Sequence, residues 1–271
     1  MPATGTALDP ALDPALSDAD LAAALVRNAA GLALEMRGRG LSAERKTNVA
    51  DVVTAADRAA EAYVLGQLRR TRPRDAIVGE EGANAAGSSG RTWVVDPVDG
   101  TFNFFSGSSY WCSALALVDG DPDLDADVIL GAVHQPQEDR LWLGGRDLPA
   151  TLNGAPVAVD DRAIDQLSAG TYIHPGWLAQ ERAAAPWHRA AVLPATLRML
   201  GSGSCDLGRV AQGELGAWFQ HSCPPWDFLP GKAIVRAAGG DTAVVRVNEL
   251  DWFIAGPGAA VHSLAAALRG R

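Results

Sequence analysis

Apolar positions along the chain change their spacing several times, and each change predicts an element. Leu21, Leu25 and Leu32 recur at helical spacing after Ser17 and Asp18, either of which can cap a helix running to about residue 36 and stopped by Arg37-Gly38-Arg39-Gly40. A second helix is predicted over 51–68, where Val53, Ala56, Ala60, Val64 and Leu68 share one face. The runs 76–82, 91–96, 110–118, 128–134 and 139–143 read as strands, with the acidic stretch 119–127 as a hairpin connection and Leu152-Asn153-Gly154-Ala155 as a turn. Beyond residue 166 the strands 167–174, 197–202, 217–220, 243–247 and 252–255 are interleaved with helices over 178–191, 205–211, 227–238 and 262–269. Pro186 is expected to break the first of these helices, and Gly239-Gly240 to end the third. Helices and strands alternate without a regular βαβ repeat, which predicts layered sheets and helices rather than one doubly wound sheet.

Three segments are expected: a mobile tail over 1–17, carrying the near-repeat Ala-Leu-Asp-Pro-Ala-Leu-Asp-Pro, a mixed lobe over 18–150, and a second lobe over 151–271. The formal charge of −9 argues against non-specific binding to nucleic acid, which needs exposed Lys and Arg. It allows a phosphorylated substrate, provided bound cations bring the positive charge. No apolar run is long enough to cross a bilayer, and no basic residue precedes Arg27, so neither a membrane span nor a secretion signal is expected. Cys112, Cys205 and Cys223 lack metal-finger spacing and read as reduced core thiols of a cytoplasmic protein. The five histidines form no paired motif, so zinc is not expected.

The chemistry concentrates at 93–104, Trp-Val-Val-Asp-Pro-Val-Asp-Gly-Thr-Phe-Asn-Phe. A buried strand is expected to stop at Asp96, Pro97 to force a turn, and a helix to start near Gly100. Asp96 and Asp99 then stand beside backbone N–H groups without intrahelical partners, a setting that holds divalent cations and phosphate together. Equally, Asp99 can be a plain helix cap and Asp96 a turn residue. Glu80 and Glu81 end the preceding strand and Asp227 opens a late helix, so acids far apart in sequence all fall at the ends of elements.

In order, the chain carries Val53-Thr54-Ala55-Ala56-Asp57, Gly79-Glu80-Glu81, Trp93 through Phe104, Trp226-Asp227 and Ala238-Gly239-Gly240. This succession resembles the inositol monophosphatase family of metal-dependent, lithium-sensitive phosphatases, from about residue 20 to the end. The resemblance implies the αβαβα sandwich of the inositol monophosphatase and fructose-1,6-bisphosphatase type. It implies Mg²⁺, two or three ions with Mn²⁺ as a substitute, held by Glu80, Asp96, the Val98 carbonyl, Asp99 and Asp227, with Asp96 bridging. Thr101, with Asp57 behind it, would orient a water, Glu80 would act as base, and the N–H groups of Gly100 and Thr101 would hold phosphate oxygens. No phospho-enzyme is implied. Ser204, Gln220 and Lys46 are candidate substrate contacts, as are Ser202 and Asp206 in the Gly201-Ser-Gly-Ser-Cys205 loop, where Ser204 can instead be a helix cap. A homodimer is implied, acting on a small phosphorylated metabolite.

The substrate implied is inositol monophosphate or a related polyol or sugar phosphate, with histidinol phosphate or a 3′,5′-bisphosphate nucleotide as alternatives. Two departures bear on the choice. Gln220 stands where many members carry a substrate-binding Glu, and it brings no charge to pair with a cationic substrate. Phe228-Leu229-Pro230 replaces small residues after Asp227. A reading of another class, a non-catalytic regulatory scaffold, would leave the positioned acids without a use.

Overall fold

The computed structural model describes residues 11–39, 43–45, 52–123 and 126–271. Helix α1 (Asp18–Gly38) starts where the Ser17 hydroxyl accepts the Asp20 N–H, and Leu21, Leu25, Ala29 and Ala33 form its buried stripe. Residues 1–10 lie outside the described part. The chain from Leu12 is already docked: Leu12 N–H donates to Gln67, and Arg72 donates to the Pro14 and Leu16 carbonyls.

The second helix starts later than its spacing suggests. β1 (Ala43–Arg45) pairs antiparallel with β2 (Val52–Thr54), and α2 (Ala55–Thr71) follows directly. Val52, Val53 and Thr54 are three β-branched residues in succession, which favour a paired strand over a first helical turn.

The first large sheet is built from β3 (Ala76–Gly79), β4 (Asn84–Ala85), β5 (Arg91–Asp99), then, after helix α3 (Thr101–Ser106), β6 (Cys112–Asp119), β7 (Asp127–Gln135), β8 (Arg140–Gly145), β9 (Leu148–Leu152) and β10 (Ala155–Pro156). Its order is β10-β9-β8-β7-β6-β5-β3-β4, antiparallel except for the β3–β5 pair. Asn153 and Gly154, both at positive φ, make the β9–β10 turn.

After a short 3₁₀ turn at 164–166, the second half runs β11 (Ser168–Tyr172), α4 (Pro175–Leu178), α5 (Glu181–Ala191), β12 (Thr196–Arg198), α6 (Gly203–Ala211), β13 (Ala217–His221), α7 (Pro225–Ala237), β14 (Asp241–Val247), β15 (Leu250–Gly256) and α8 (Gly258–Arg269). Its sheet has the order β12-β11-β13-β15-β14, with β11 parallel to both neighbours. Pro186 does not break α5. It lacks the N–H that would bond the Arg182 carbonyl, and Asn248 Nδ2 donates to that carbonyl instead, at 3.1 Å.

The layers follow from three of the buried clusters. α1 and α2 cover one face of the first sheet through Leu25, Val64, Leu68, Trp93 and Leu115. α6 and α7 lie between the two sheets, packed around Trp142, Trp218, Phe228 and Phe253. α5 and α8 cover the outer face of the second sheet around Phe219, Trp252 and Leu264. This is a helix–sheet–helix–sheet–helix sandwich. α7 lies so close to β7 that a Cβ on Gly131 would sit 2.1 Å from the Pro230 carbonyl oxygen, so only glycine fits there.

Candidate active site

Asp96 pairs across the ladder with Ala114, and Asp99 with Cys112, so three steps along β5 match two along β6. One residue is extra, and the strand bulges. In a regular strand, residues three apart point to opposite faces. The bulge cancels that, and both carboxylates reach the same side. The strand therefore does not stop at Asp96 as the Pro97 signal suggested. Pro97 sits inside the bulge, where its missing N–H breaks no ladder bond, and the Ser113 hydroxyl donates to its carbonyl at 2.5 Å. The Val98 N–H donates to Asp96 Oδ1 at 3.1 Å.

Gly100 precedes α3 in the left-handed region, at φ 92°. A Cβ there would lie 3.1 Å from the Gly201 carbonyl oxygen, so glycine answers both the conformation and the close approach of the second half of the chain. That approach brings in the start of α6. Ser202 is the cap of α6, rather than Ser204, and its hydroxyl accepts the Cys205 N–H. The same hydroxyl donates to Asp99 Oδ2 at 2.8 Å, and the Ser204 backbone N–H donates to that oxygen at 2.6 Å. Asp227 enters from the first turn of α7, its N–H bonded to the Pro224 carbonyl.

Asp96, Asp99 and Asp227 each offer a carboxylate oxygen within 4.8 Å of the others. Glu80, just past β3, lines the same cavity, and its side chain hydrogen-bonds to Asp96. The turn that carries it is held by Glu61 of α2, whose carboxylate accepts the N–H groups of Glu81, at 2.7 Å, and Ala83. The cavity has a volume of about 840 Å³, and among the described residues six carboxylates but no Lys or Arg line it.

Charge is crowded accordingly. Burial, with the neighbouring Glu80, Asp99 and Asp227 adding to it, pushes Asp96 well above the usual carboxylate range. Burial together with Asp99 and Glu80 does the same to Asp227. Burial raises Asp99 as well, against the pull of the Ser204 and Ser202 donors. Hard oxygen donors clustered, among the described residues, without a compensating side-chain cation fit a divalent metal such as Mg²⁺. The Thr101 hydroxyl donates to the Val98 carbonyl at 3.1 Å, and Asp57 is buried on α2.

Gln220, at the end of β13, and Asp206, on α6, both line the cavity. Burial drives Asp206 up to about 8, against the opposing effect of the Tyr110 hydroxyl, which donates to it at 2.5 Å. Ser204 is fully buried and reaches the site through its backbone. Lys46 lies outside the described residues. Sequence reasoning passed over Glu61 and Tyr110. The signal for Glu61 was available: it lies one helical turn after Asp57, an acid beside the apolar stripe Ala56, Ala60 and Val64, and such an acid needs partners.

Known proteins share this arrangement of chain. The profile of the inositol monophosphatase family matches residues 16–268. The fructose-1,6-bisphosphatase/inositol-1-monophosphatase of Thermotoga maritima is 30% identical over 224 residues, covering 82% of each chain. Nus factor SuhB of Xylella fastidiosa is 32% identical over 195 residues, covering 70% of this chain and 68% of its own. The solved structure of a Thermotoga maritima IMPase superposes with a TM-score of 0.79 at 25% identity, covering 93% of this chain and 96% of the other. With a family match from α1 to α8 and a relative of this identity aligned over most of both chains, the chain belongs to the inositol monophosphatase family and is a phosphoric monoester hydrolase.

Proposed function

We propose that this chain hydrolyses the phosphate monoester of a small metabolite, inositol monophosphate or a related polyol or sugar phosphate, with Mg²⁺ held by Glu80, Asp96, the Val98 carbonyl, Asp99 and Asp227. One observation carries the reading: three buried or half-buried carboxylates within 4.8 Å in a cavity that, among the described residues, no Lys or Arg lines. Magnesium bound there, two or three ions with Mn²⁺ as a substitute, supplies positive charge to the phosphate and its leaving oxygen. The chain's own residues do the rest. Thr101, its proton committed to Val98, has only lone pairs left to offer, so it orients the attacking water by accepting an O–H. Glu80 borders the same space and takes the other proton of that water. The N–H groups of Gly100 and Thr101, where α3 begins, take phosphate oxygens.

Three free, buried cysteines and the family resemblance support a cytoplasmic homodimer as the working form. The net charge of −9 keeps nucleic acid out of this reading, whatever role the relatives named Nus factor SuhB have. The test is phosphate release from myo-inositol 1-phosphate, glycerol 2-phosphate and glucose 1-phosphate, in Mg²⁺ and in EDTA. Metal-dependent release from at least one ester is expected, and none from any of them would sink the proposal.

A further inference from the structure

Among the described residues, five large apolar side chains stand exposed, and three of them gather at the mouth of the one large cavity: Phe102 at 48% exposure, Leu178 at 43% and Met199 at 48%. They come from three separate places in the chain, α3, α4 and the segment between β12 and α6. Surface apolar residues are ordinarily scattered singly, and a convergent group at a pocket mouth marks a contact surface. Ile173 and Leu200, less exposed than these three, extend the apolar lining, and Pro175 adds to its exposed part.

Among the described residues, the other polar groups of the lining include no Lys or Arg. Gln220 is neutral. His174 accepts the Gly176 N–H on Nδ1 at 3.1 Å, which leaves Nε2 as the ring's donor into the cavity it lines. None of the described lining residues is therefore placed to receive a second phosphate or a carboxylate. The volume of about 840 Å³ stands toward the upper end of the range for small-molecule pockets. A bare polyol would leave the rim wet, and wet apolar surface costs roughly 25 cal/mol per Å² relative to a covered one.

Building on the phosphatase reading, we infer that the substrate's polyol or sugar half carries an apolar or aromatic substituent. That group lies against Phe102, Leu178 and Met199, while a hydroxyl or amide nearer the ester oxygen meets Gln220 and His174.

The probes are ethyl phosphate, 2-phenylethyl phosphate and myo-inositol 1-phosphate, assayed with Mg²⁺. Ethanol and 2-phenylethanol are similar leaving groups, so their ratio reports binding of the phenyl group rather than intrinsic reactivity. The expected kcat/KM for 2-phenylethyl phosphate exceeds that for ethyl phosphate by roughly tenfold or more, since a few buried carbons are worth that much. Phe102→Ser and Met199→Ser should each lower this ratio several-fold, mainly through KM. Calorimetric binding of 2-phenylethylphosphonate against ethylphosphonate, neither of which can be hydrolysed, should give the same order.

A ratio near one, alongside good turnover of myo-inositol 1-phosphate, overturns this inference and leaves the phosphatase reading standing. No turnover of any ester sinks that reading instead, and equal binding of the two phosphonates then overturns the inference separately. A ratio near one, with a dimer that the two serine variants convert to monomer, would assign the rim to a second copy of the chain.

Discussion

Ser204 of α6 donates its backbone N–H to the Oδ2 of Asp99 on β5, so the second half of the chain sets the orientation of a carboxylate from the first. Ser202 adds its hydroxyl to the same oxygen while also capping the helix. Two donors on one oxygen fix the plane of the group and leave its other oxygen to face a cation. Ser202→Ala is expected to weaken Mg²⁺ binding by roughly tenfold, as loss of a ligand's supporting bond does, and to cost about 1 kcal/mol for the cap. Titration calorimetry checks the first and urea melts the second. Undiminished affinity would remove Asp99 from the set of ligands.

Acid crowding makes stability depend on pH and on metal together. Asp96 and Asp227 are raised above their ordinary 3.8 in the folded chain, by burial first and by neighbouring carboxylates second. From pH 4 upward the unfolded chain therefore gives up these protons while the folded chain keeps them, and the metal-free protein loses stability as pH rises through that window. A bound dication reverses the balance by favouring the ionised forms. The rise in Tm on adding Mg²⁺ is expected to be larger at pH 8 than at pH 5.5. Equal shifts at both pH values, against EDTA controls, would count against the cluster as the binding site.

Glu61 holds the turn that presents Glu80. Its two oxygens accept the N–H groups of Glu81 and Ala83, and an amide in its place turns an NH₂ toward one of those donors. Glu61→Gln should lower kcat/KM by roughly 10- to 100-fold and stability by about 1.5–3 kcal/mol. A loss of stability with full activity would show that the turn needs no such anchor.

Gly131 is the contact point of β7 with α7. A methyl group there meets the Pro230 carbonyl oxygen at 2.1 Å, so the helix must move. Gly131→Ala is expected to destabilise by roughly 1–3 kcal/mol. Because Asp227 sits in the first turn of the same helix, Mg²⁺ affinity should fall with it. Both are measurable on one preparation, by denaturant titration and calorimetry.

Most elements were legible because their signals are local: leucine spacing in α1, a serine cap at Ser17, and Asn153-Gly154 at a tight turn. The acids were legible through their order along the chain. What was not legible depends on partners distant in sequence. The bulge that carries β5 past Pro97 exists only against β6, and an isolated strand ending in Asp-Pro gives no sign of it. The intact α5 depends on Asn248, 66 residues away, taking over the carbonyl that Pro186 leaves unbonded. Ser202 and Ser204 are both reasonable caps by composition, and only the approach of Asp99 separates their roles. The three β-branched residues before α2 were a local signal, outweighed by the helical spacing of the residues after them.

The extra residue in β5 bears on how firmly the acids of the site are held. Deleting Pro97 or Val98 would leave the two acids two residues apart in a regular strand, still on one side of the sheet, but would take away the carbonyl that Ser113 bonds or the Val98 N–H that steadies Asp96. What such a deletion removes is anchorage rather than direction, so a strand one residue shorter should still present both acids to the cavity while holding them more loosely than the bulge does.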